Sequence, residues 1–490
     1  MGQLRQLAGQ TVIYGASSVI GRVLNYLLVP LYTAVFAPDA YGVVTELYAF
    51  VAFLNVIYTY GFETTYFRFA TKGDSKHYFQ IAQSSLITTS FIFSGLLCLF
   101  SDEIAWTLNY PDDGKYIVWL ACILAIDAIV AVPFAKMRLE GQPLKFAVLK
   151  LGNIGLNIGL NMFFLLFCPW WIAAHPDSFL VNIYQPELGV GFVFISNLIA
   201  NGAYLPFFYQ SFRSVKFRFG KDWKLMMAYA LPLLVMGFAG VTNEMLSRVL
   251  LKYWLPEGFY PGYSNQAILG IFGACYKLSV FMTLAVQAFR YAFEPFFFSK
   301  SGEKNSPELF AKVMHGFVIF GSLSWLVISL YLPAFAPIFL RREAYLTGLD
   351  IVPWLLGGGL FLGIYFNLSV WYKLTDKTRY GAWITILGAL LTIILNFVLI
   401  PVIGYMGSAI TTFISYMVMT VISFWIGQKH FYIPYKVGKG FFYIVVAGLS
   451  ISTFYFCQFN QSYKYFIATA LIAFFISLVW IIDFRRGSIK

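Results

Sequence analysis

The chain has 490 residues, of which 59% are hydrophobic and only 11% charged, with a mean hydropathy of +0.72 and a net charge of +12. A soluble domain carries about 25% charged residues, so this composition excludes a single water-soluble core and calls for lipid as the solvent of much of the surface. The positive balance fits either an anionic partner such as nucleic acid or an orientation bias across a membrane, and the placement of the cations decides between them.

Apolar stretches long enough to cross a bilayer fall near 8-36, 42-69, 81-108, 115-137, 146-168, 188-212, 224-255, 267-298, 309-335, 351-373, 382-400, 406-428, 439-457 and 464-482. The first is too long for a cleavable signal peptide and lacks a small-residue cleavage site. Fourteen spans put both termini on one side of the membrane. With the N-terminus inside, inner loops and helix ends hold 25 of the 34 lysines and arginines, and the outer side holds 5. The cations therefore predict cytoplasmic termini, and nucleic acid is not needed to explain the charge.

The longest outer loop, about 169-187, is too small for a soluble catalytic site, so no enzyme activity and no catalytic residue is expected. No Walker-type GxxxxGK[ST] loop is present. The five cysteines, at 98, 122, 168, 275 and 457, lie in or beside apolar segments without metal-ligand spacing. They read as packing residues, and no metal site is expected.

Four cations remain inside the membrane, Arg22, Arg248, Lys277 and Arg290, together with the acids Glu46, Glu63, Asp127, Glu244 and Glu294. A cation at the centre of a membrane helix costs about 2.5–3.5 kcal/mol on insertion scales, so each needs a reason. Glu244 and Arg248, and likewise Arg290 and Glu294, are spaced four apart and can neutralise one another on their own helices. Glu46 and Glu63 fall near opposite ends of the second span, where partial hydration suffices. Arg22, Asp127 and Lys277 have no same-helix partner near mid-depth. Either Arg22 and Lys277 face a shared water-filled cavity and bind a crossing anion, or one of them pairs with Asp127 as pure structure.

The first span contains RVLNYLLVP, Arg22 to Pro30, and the seventh RVLLKYWLP, Arg248 to Pro256. The helices that follow open with Gly42 and Gly270 in matching places. Both copies start from the inner side, so the repeat is parallel, about an axis along the membrane normal. The expected fold class is an all-α polytopic membrane protein with two pseudo-symmetric six-helix lobes and two extra C-terminal helices. The lobes are residues 1-212 and 224-428, joined by a basic cytoplasmic linker at 213-223, and 429-490 carries the extra helices.

The stretch NFVLIPVIGYMGSAITTFISY, Asn396 to Tyr416, resembles the asparagine, LIP, G-x-x-G-[AS]-A, TxxSY signature of bacterial polysaccharide-export flippases. LYTAVFAPDAYG (31-42) and LGIFGACYKL (269-278) are similar to that family's two lobe-opening segments. The resemblance covers essentially the whole chain and points to the multidrug/oligosaccharidyl-lipid/polysaccharide exporter superfamily. It implies a bacterial inner-membrane flippase that moves a polyprenyl-diphosphate-linked oligosaccharide outward by alternating access of two lobes. An association with polysaccharide polymerase machinery is also implied.

On that reading the substrate-binding candidates are Arg22 and Lys277 as a two-lobe diphosphate clamp, with Arg248, Arg290, Asn153 and Asn157. Helix five reads GNIGLNIGLN, which places Asn153, Asn157 and Asn161 on one stripe and spaces Gly155 and Gly159 as GxxxG. That texture serves either helix packing or a sugar-lined cavity. Asp127 and Glu63 are the ion-coupling candidates. No cofactor is expected beyond a proton or sodium gradient or the membrane potential, which assists an outgoing anion by about 2.3 kcal/mol per charge per 100 mV. An ion-coupled multidrug exporter and a peptidoglycan-precursor (lipid II) flippase of the same fold are the alternatives.

Overall fold

The computed structural model describes residues 15, 17, 19–213, 215, 216, 219–300, 305–457 and 461–485, and every regular element among them is a helix. Arg5, Ser214, Arg218, Lys304, Arg486 and Lys490 lie outside the described residues, as does the side chain of Glu294, the expected partner of Arg290. Among the described residues, twelve helices are long and apolar enough to cross a membrane. The pair Gly191–Gly202 and Tyr204–Arg213, bent by 45°, would be a thirteenth span, and the 17-residue stretch Val19–Val35 lies where the first span is expected. The chain is a multi-pass membrane protein. Its backbone leaves no other choice, because each helix satisfies its own N–H and C=O groups where lipid cannot.

The helices form two compact units that meet in sequence at Met245 and Leu246. The first contains α1 (Val19–Val35), α2 (Pro38–Thr59), α3 (Phe62–Ala70), α4 (Ser75–Leu99), α5 (Gly114–Leu139), α6 (Pro143–Met162), α7 (Gly191–Gly202) and α8 (Tyr204–Arg213). Most of α9 (Lys221–Trp254) also belongs to it. Helix α5 is its hub: α2, α3, α4, α6, α7 and α8 all pack on it. In its most apolar stretch 61% of the residues are buried, against 17% in the span that begins with α6. Lys136 and Arg138 close the last turn of α5, where cations complement the helix dipole.

Between α2 and α3 the chain breaks at two left-handed residues, Tyr60 (φ 31°) and Gly61 (φ 73°). Glycine is required at the second for two reasons, the positive φ and the approach of α9, since a Cβ there would stand 2.8 Å from Leu233 Cβ. The break aims Phe62 and Tyr66 into a core with Phe79, Leu86, Val132 and Met226.

The second unit holds α10 (Asn265–Leu278), α11 (Val280–Lys300), α12 (Ser306–Phe339), α13 (Val352–Leu368), α14 (Thr378–Ile403), α15 (Tyr405–His430), α16 (Val437–Phe456) and α17 (Gln461–Val479). Here α13 is the hub, against α11, α12 and α15, while α16 and α17 pack on α12. The Asn396–Tyr416 motif is the α14–α15 hairpin. Asn396 is fully buried, donates to the Thr392 carbonyl at 2.7 Å and accepts from Ser408 Oγ at 3.0 Å, and Thr392 donates to Ser415 Oγ at 3.1 Å. Gly404 turns the chain at φ 60°. The motif's polar positions thus bond the two helices to each other, a packing role.

The matching proline positions of the RVL repeat differ in structure. Pro30 lies within α1, just after the turn residue Leu27 that interrupts it, whereas Pro256 follows the end of α9 at Trp254.

Candidate functional site

The helices of the first unit bring a set of polar side chains together inside it. Asp127 projects from the middle of the hub helix α5, and its Oδ1 accepts the Asn201 Nδ2–H of α7 at 2.9 Å. Asn201 Oδ1 in turn accepts from Asn153 Nδ2 of α6 at 3.0 Å. The donors all point one way, so each amide polarises the next toward the carboxylate. One turn along α7, Asn197 Nδ2 donates to Tyr48 Oη of α2 at 2.7 Å. Lys150 of α6 lies where it attracts Asp127 electrostatically, its ammonium 4.2 Å over the Phe134 ring and 5.5 Å over Tyr204.

This seam continues toward the end of α5. Lys150 also interacts with Glu63, which forms an ion pair with Arg138. Both members of that pair are partly solvated, with 45% and 33% of the side-chain surface exposed. In the other direction along α6, Asn161 is fully buried. It accepts from Tyr32 Oη at 2.9 Å and donates to the carbonyl and side-chain oxygens of Asn157 at 2.8 and 3.1 Å. Chemically, the first unit holds a carboxylate with a neutral amide relay on one side and an ammonium group on another. That arrangement can take up a proton or a small cation by exchanging partners.

The asparagine stripe of α6 therefore acts as helix-joining glue at Asn153 and Asn161. Of the two readings of the Gly155 and Gly159 spacing, close packing finds no partner among the described residues, since outside the helix's own backbone none of their atoms lies within 4 Å of a Cβ placed at either glycine. These glycines occupy the other side of α6 from the bonded asparagines. Glu46 also departs from expectation. It is fully buried rather than partly hydrated, because the turn after the short helix Ser101–Thr107 brings Tyr110 Oη onto its carboxylate as a donor.

Three further contributors, Lys150, Asn197 and Asn201, are not among the sequence-predicted site residues. Lys150 counts among the cations of inner loops and helix ends, and it is the eighth residue of α6. Asn197 and Asn201 look like ordinary polar residues of an apolar span. Their four-residue spacing on α7, the same as that of the α6 asparagines, was the available signal.

Of the remaining candidates, Arg22 lies in the first unit and Lys277, Arg248 and Arg290 in the second. In the first unit the Arg22 side chain is exposed. In the second, Lys277 is exposed in the last turn of α10, one residue from Tyr276. Arg248 is buried with its guanidinium 4.2 Å over the Tyr276 ring, a cation–π contact that offsets part of its desolvation, while Glu244 is exposed. Arg290 is half-buried and lies 5.2 Å over Phe366.

A family model described as "polysaccharide biosynthesis protein" matches residues 35–173, which contain Asp127, Lys150 and Asn153. No curated protein matches the sequence significantly. Among solved structures, a lipid II flippase, MurJ, in an inward closed conformation superposes with a TM-score of 0.71 at 13% identity, over 98% of this chain and 100% of that one. An inward-facing multidrug resistance transporter of the MATE family, of the MOP superfamily, superposes with a TM-score of 0.63 at 13% identity, over 83% and 94%. A MATE transporter of Vibrio cholerae, VcmN, gives 0.53 at 14% identity over 87% and 96%. The chain has the fold these transporters share.

Proposed function

We propose that the protein is a flippase that carries a polyprenyl-diphosphate-linked oligosaccharide from the inner to the outer leaflet. The observation that carries the reading is the match of residues 35–173 to a polysaccharide-biosynthesis family within a chain whose fold is shared with a lipid II flippase. The inner-side excess of cations supports cytoplasmic termini and a plasma-membrane orientation. Arg22 and Lys277 hold the diphosphate, Arg as a fork and Lys as a point charge, and Arg248 and Arg290 add positive potential. Asp127, with Asn201, Asn153 and Lys150, is the ion-responsive element, because protonation or cation binding at its carboxylate exchanges the partners of three helices at once.

Reconstitution into proteoliposomes tests this reading. A polyprenyl-diphosphate oligosaccharide placed in one leaflet should become accessible to an impermeant glycosidase on the other side. Lipid II and a lipophilic cation serve as competing substrates. Preferential flipping of lipid II, or drug transport without glycolipid flipping, would reject the assignment. In cells, loss of the protein should make an undecorated lipid-linked oligosaccharide accumulate.

A further inference from the structure

We propose that Lys150 is a tethered cation that competes with the coupling ion for Asp127. Its ammonium docks on the carboxylate when the site is empty and withdraws toward the inner end of the unit when a proton or small cation takes its place. The inference rests on the reading of Asp127 as the ion-responsive group, and adds what balances that group between loading events.

The position of the ammonium carries the proposal. Asp127, Phe134 and Arg138 follow one another on α5 at spacings of seven and four, so they share one stripe of that helix. Along the axis Phe134 stands about 10 Å from Asp127 and about 6 Å from Arg138. Lys150 Nζ lies 4.2 Å over the Phe134 ring and 5.5 Å over that of Tyr204 on α8, in the corner where the two rings meet edge to face at 5.1 Å. The charge is therefore parked between the deep carboxylate and the partly solvated Glu63–Arg138 pair. It forms no hydrogen bond or ion pair with any described residue. Asp127 offers the matching group: its Oδ1 takes the Asn201 amide, while Oδ2 accepts from no described residue. The charged groups that act on the ammonium are Asp127 and Arg138 of α5 and Glu63 of α3. The phenols that act with Asp127 are Tyr204 of α8 and Tyr48 of α2.

An aromatic corner suits a waiting charge. Ring faces offset part of the desolvation of an ammonium, yet they hold it less firmly than a carboxylate does. Three donors on a flexible four-carbon stem can then reach for Oδ2. With the ion gone, Asp127 would be an uncompensated carboxylate inside the membrane, which is costly. Lys150 supplies the counter-charge from the same unit, so the empty carrier can reorient with a neutral pair. Once a proton or cation neutralises Asp127 the attraction ends, and the ammonium returns toward the inner end. Glu63 need not receive it, because that end is already solvated.

The test is made on the purified full-length protein without any transport readout, so its failure is separate from that of the flippase reading. Infrared difference spectra follow the carboxylic acid band of Asp127, identified by its loss in Asp127→Asn, as the pH is varied. Lys150→Met removes the competing charge, so Asp127 should bind the proton about tenfold more tightly than in the wild type, and Lys150→Arg should restore the wild-type affinity. Movement is read by NMR on protein carrying carbon-13 at the lysine Cε, where the Lys150 signal is the one missing in Lys150→Arg. In the wild type that signal should change its ring-current shift with the same midpoint as the infrared band, and in Asp127→Asn it should not respond. This wild-type titration decides even where Lys150→Met does not fold. An unchanged proton affinity in folded Lys150→Met, or a Lys150 signal that stays fixed while Asp127 is protonated, would overturn the proposal. Absent glycolipid flipping with both signatures intact would reject the flippase reading alone.

Discussion

Asn201 donates its amide N–H to Asp127 at 2.9 Å while accepting that of Asn153 at 3.0 Å, so one α7 side chain links α5 and α6 through a carboxylate. Such a link is sensitive to the charge of its acceptor. An ionised Asp127 is a strong acceptor for Asn201, and a neutral one is weaker and gains a donor of its own.

Asp127→Asn keeps the shape and removes the charge. The variant should fold, because an amide oxygen still accepts from Asn201, and its flipping should lose dependence on the proton or sodium gradient. Flux in proteoliposomes with imposed and collapsed gradients checks this. Unchanged ion dependence in a well-folded variant would remove Asp127 from coupling. Asn201→Leu, by contrast, strips the half-buried Asp127 carboxylate and Asn153 of a partner and should cost about 1–3 kcal/mol in thermal unfolding.

Glu63→Gln offers the contrast. Its carboxylate forms an ion pair with Arg138 in partly exposed surroundings, where such pairs contribute about 0–1 kcal/mol. The substitution should lower the melting temperature only slightly and leave the gradient dependence of flux intact. Loss of gradient dependence would instead assign Glu63 a coupling role beside Asp127.

Asp483 ties the C-terminal helix down. Its carboxylate meets His315 Nε2 at 2.7 Å, Lys439 Nζ at 2.5 Å and Tyr443 Oη at 2.8 Å, joining the end of the chain to α12 and α16. With only 12% of the Asp483 side chain exposed, Asp483→Ala leaves Tyr443 without its acceptor and Lys439 with the Ile482 carbonyl alone, and should cost about 1–3 kcal/mol. Limited proteolysis should then cut ahead of α17 at a rate well above that of the wild type.

Arg22 and Lys277 test the clamp. Arg22→Lys should retain part of the flux, since charge survives while the bidentate fork is lost. Arg22→Gln and Lys277→Gln should each abolish it without a change in melting temperature, because both side chains are exposed. A melting temperature that falls with Arg22→Gln and recovers when Asp127 is also neutralised would show a buried structural pair instead.

The topology is checked with single cysteines on a cysteine-free background. An impermeant thiol reagent applied from outside should label Asp177→Cys and leave Lys377→Cys unlabelled, both positions being exposed. The reverse pattern would refute the positive-inside orientation.

The sequence by itself determined that the chain is a helical membrane protein, and roughly where the helices lie. That information is local: an apolar run of about 20 residues must be helical in lipid because its backbone has no other partner. Composition also singled out Asp127 as an acid that needs a reason. What surrounds Asp127 was decided by tertiary structure alone. Asn201 and Asn153 come from helices separated from α5 in sequence, and only the packing of α6 and α7 on α5 brings their amides into line. Lys150 counted only toward the inner-side charge because a lysine near a helix end carries no mark of which way it points. The same holds for the glycines of α6, whose GxxxG spacing is compatible with close packing but does not supply a neighbouring helix. Spacing along one helix fixes which side chains share a face, and only the fold fixes what that face meets.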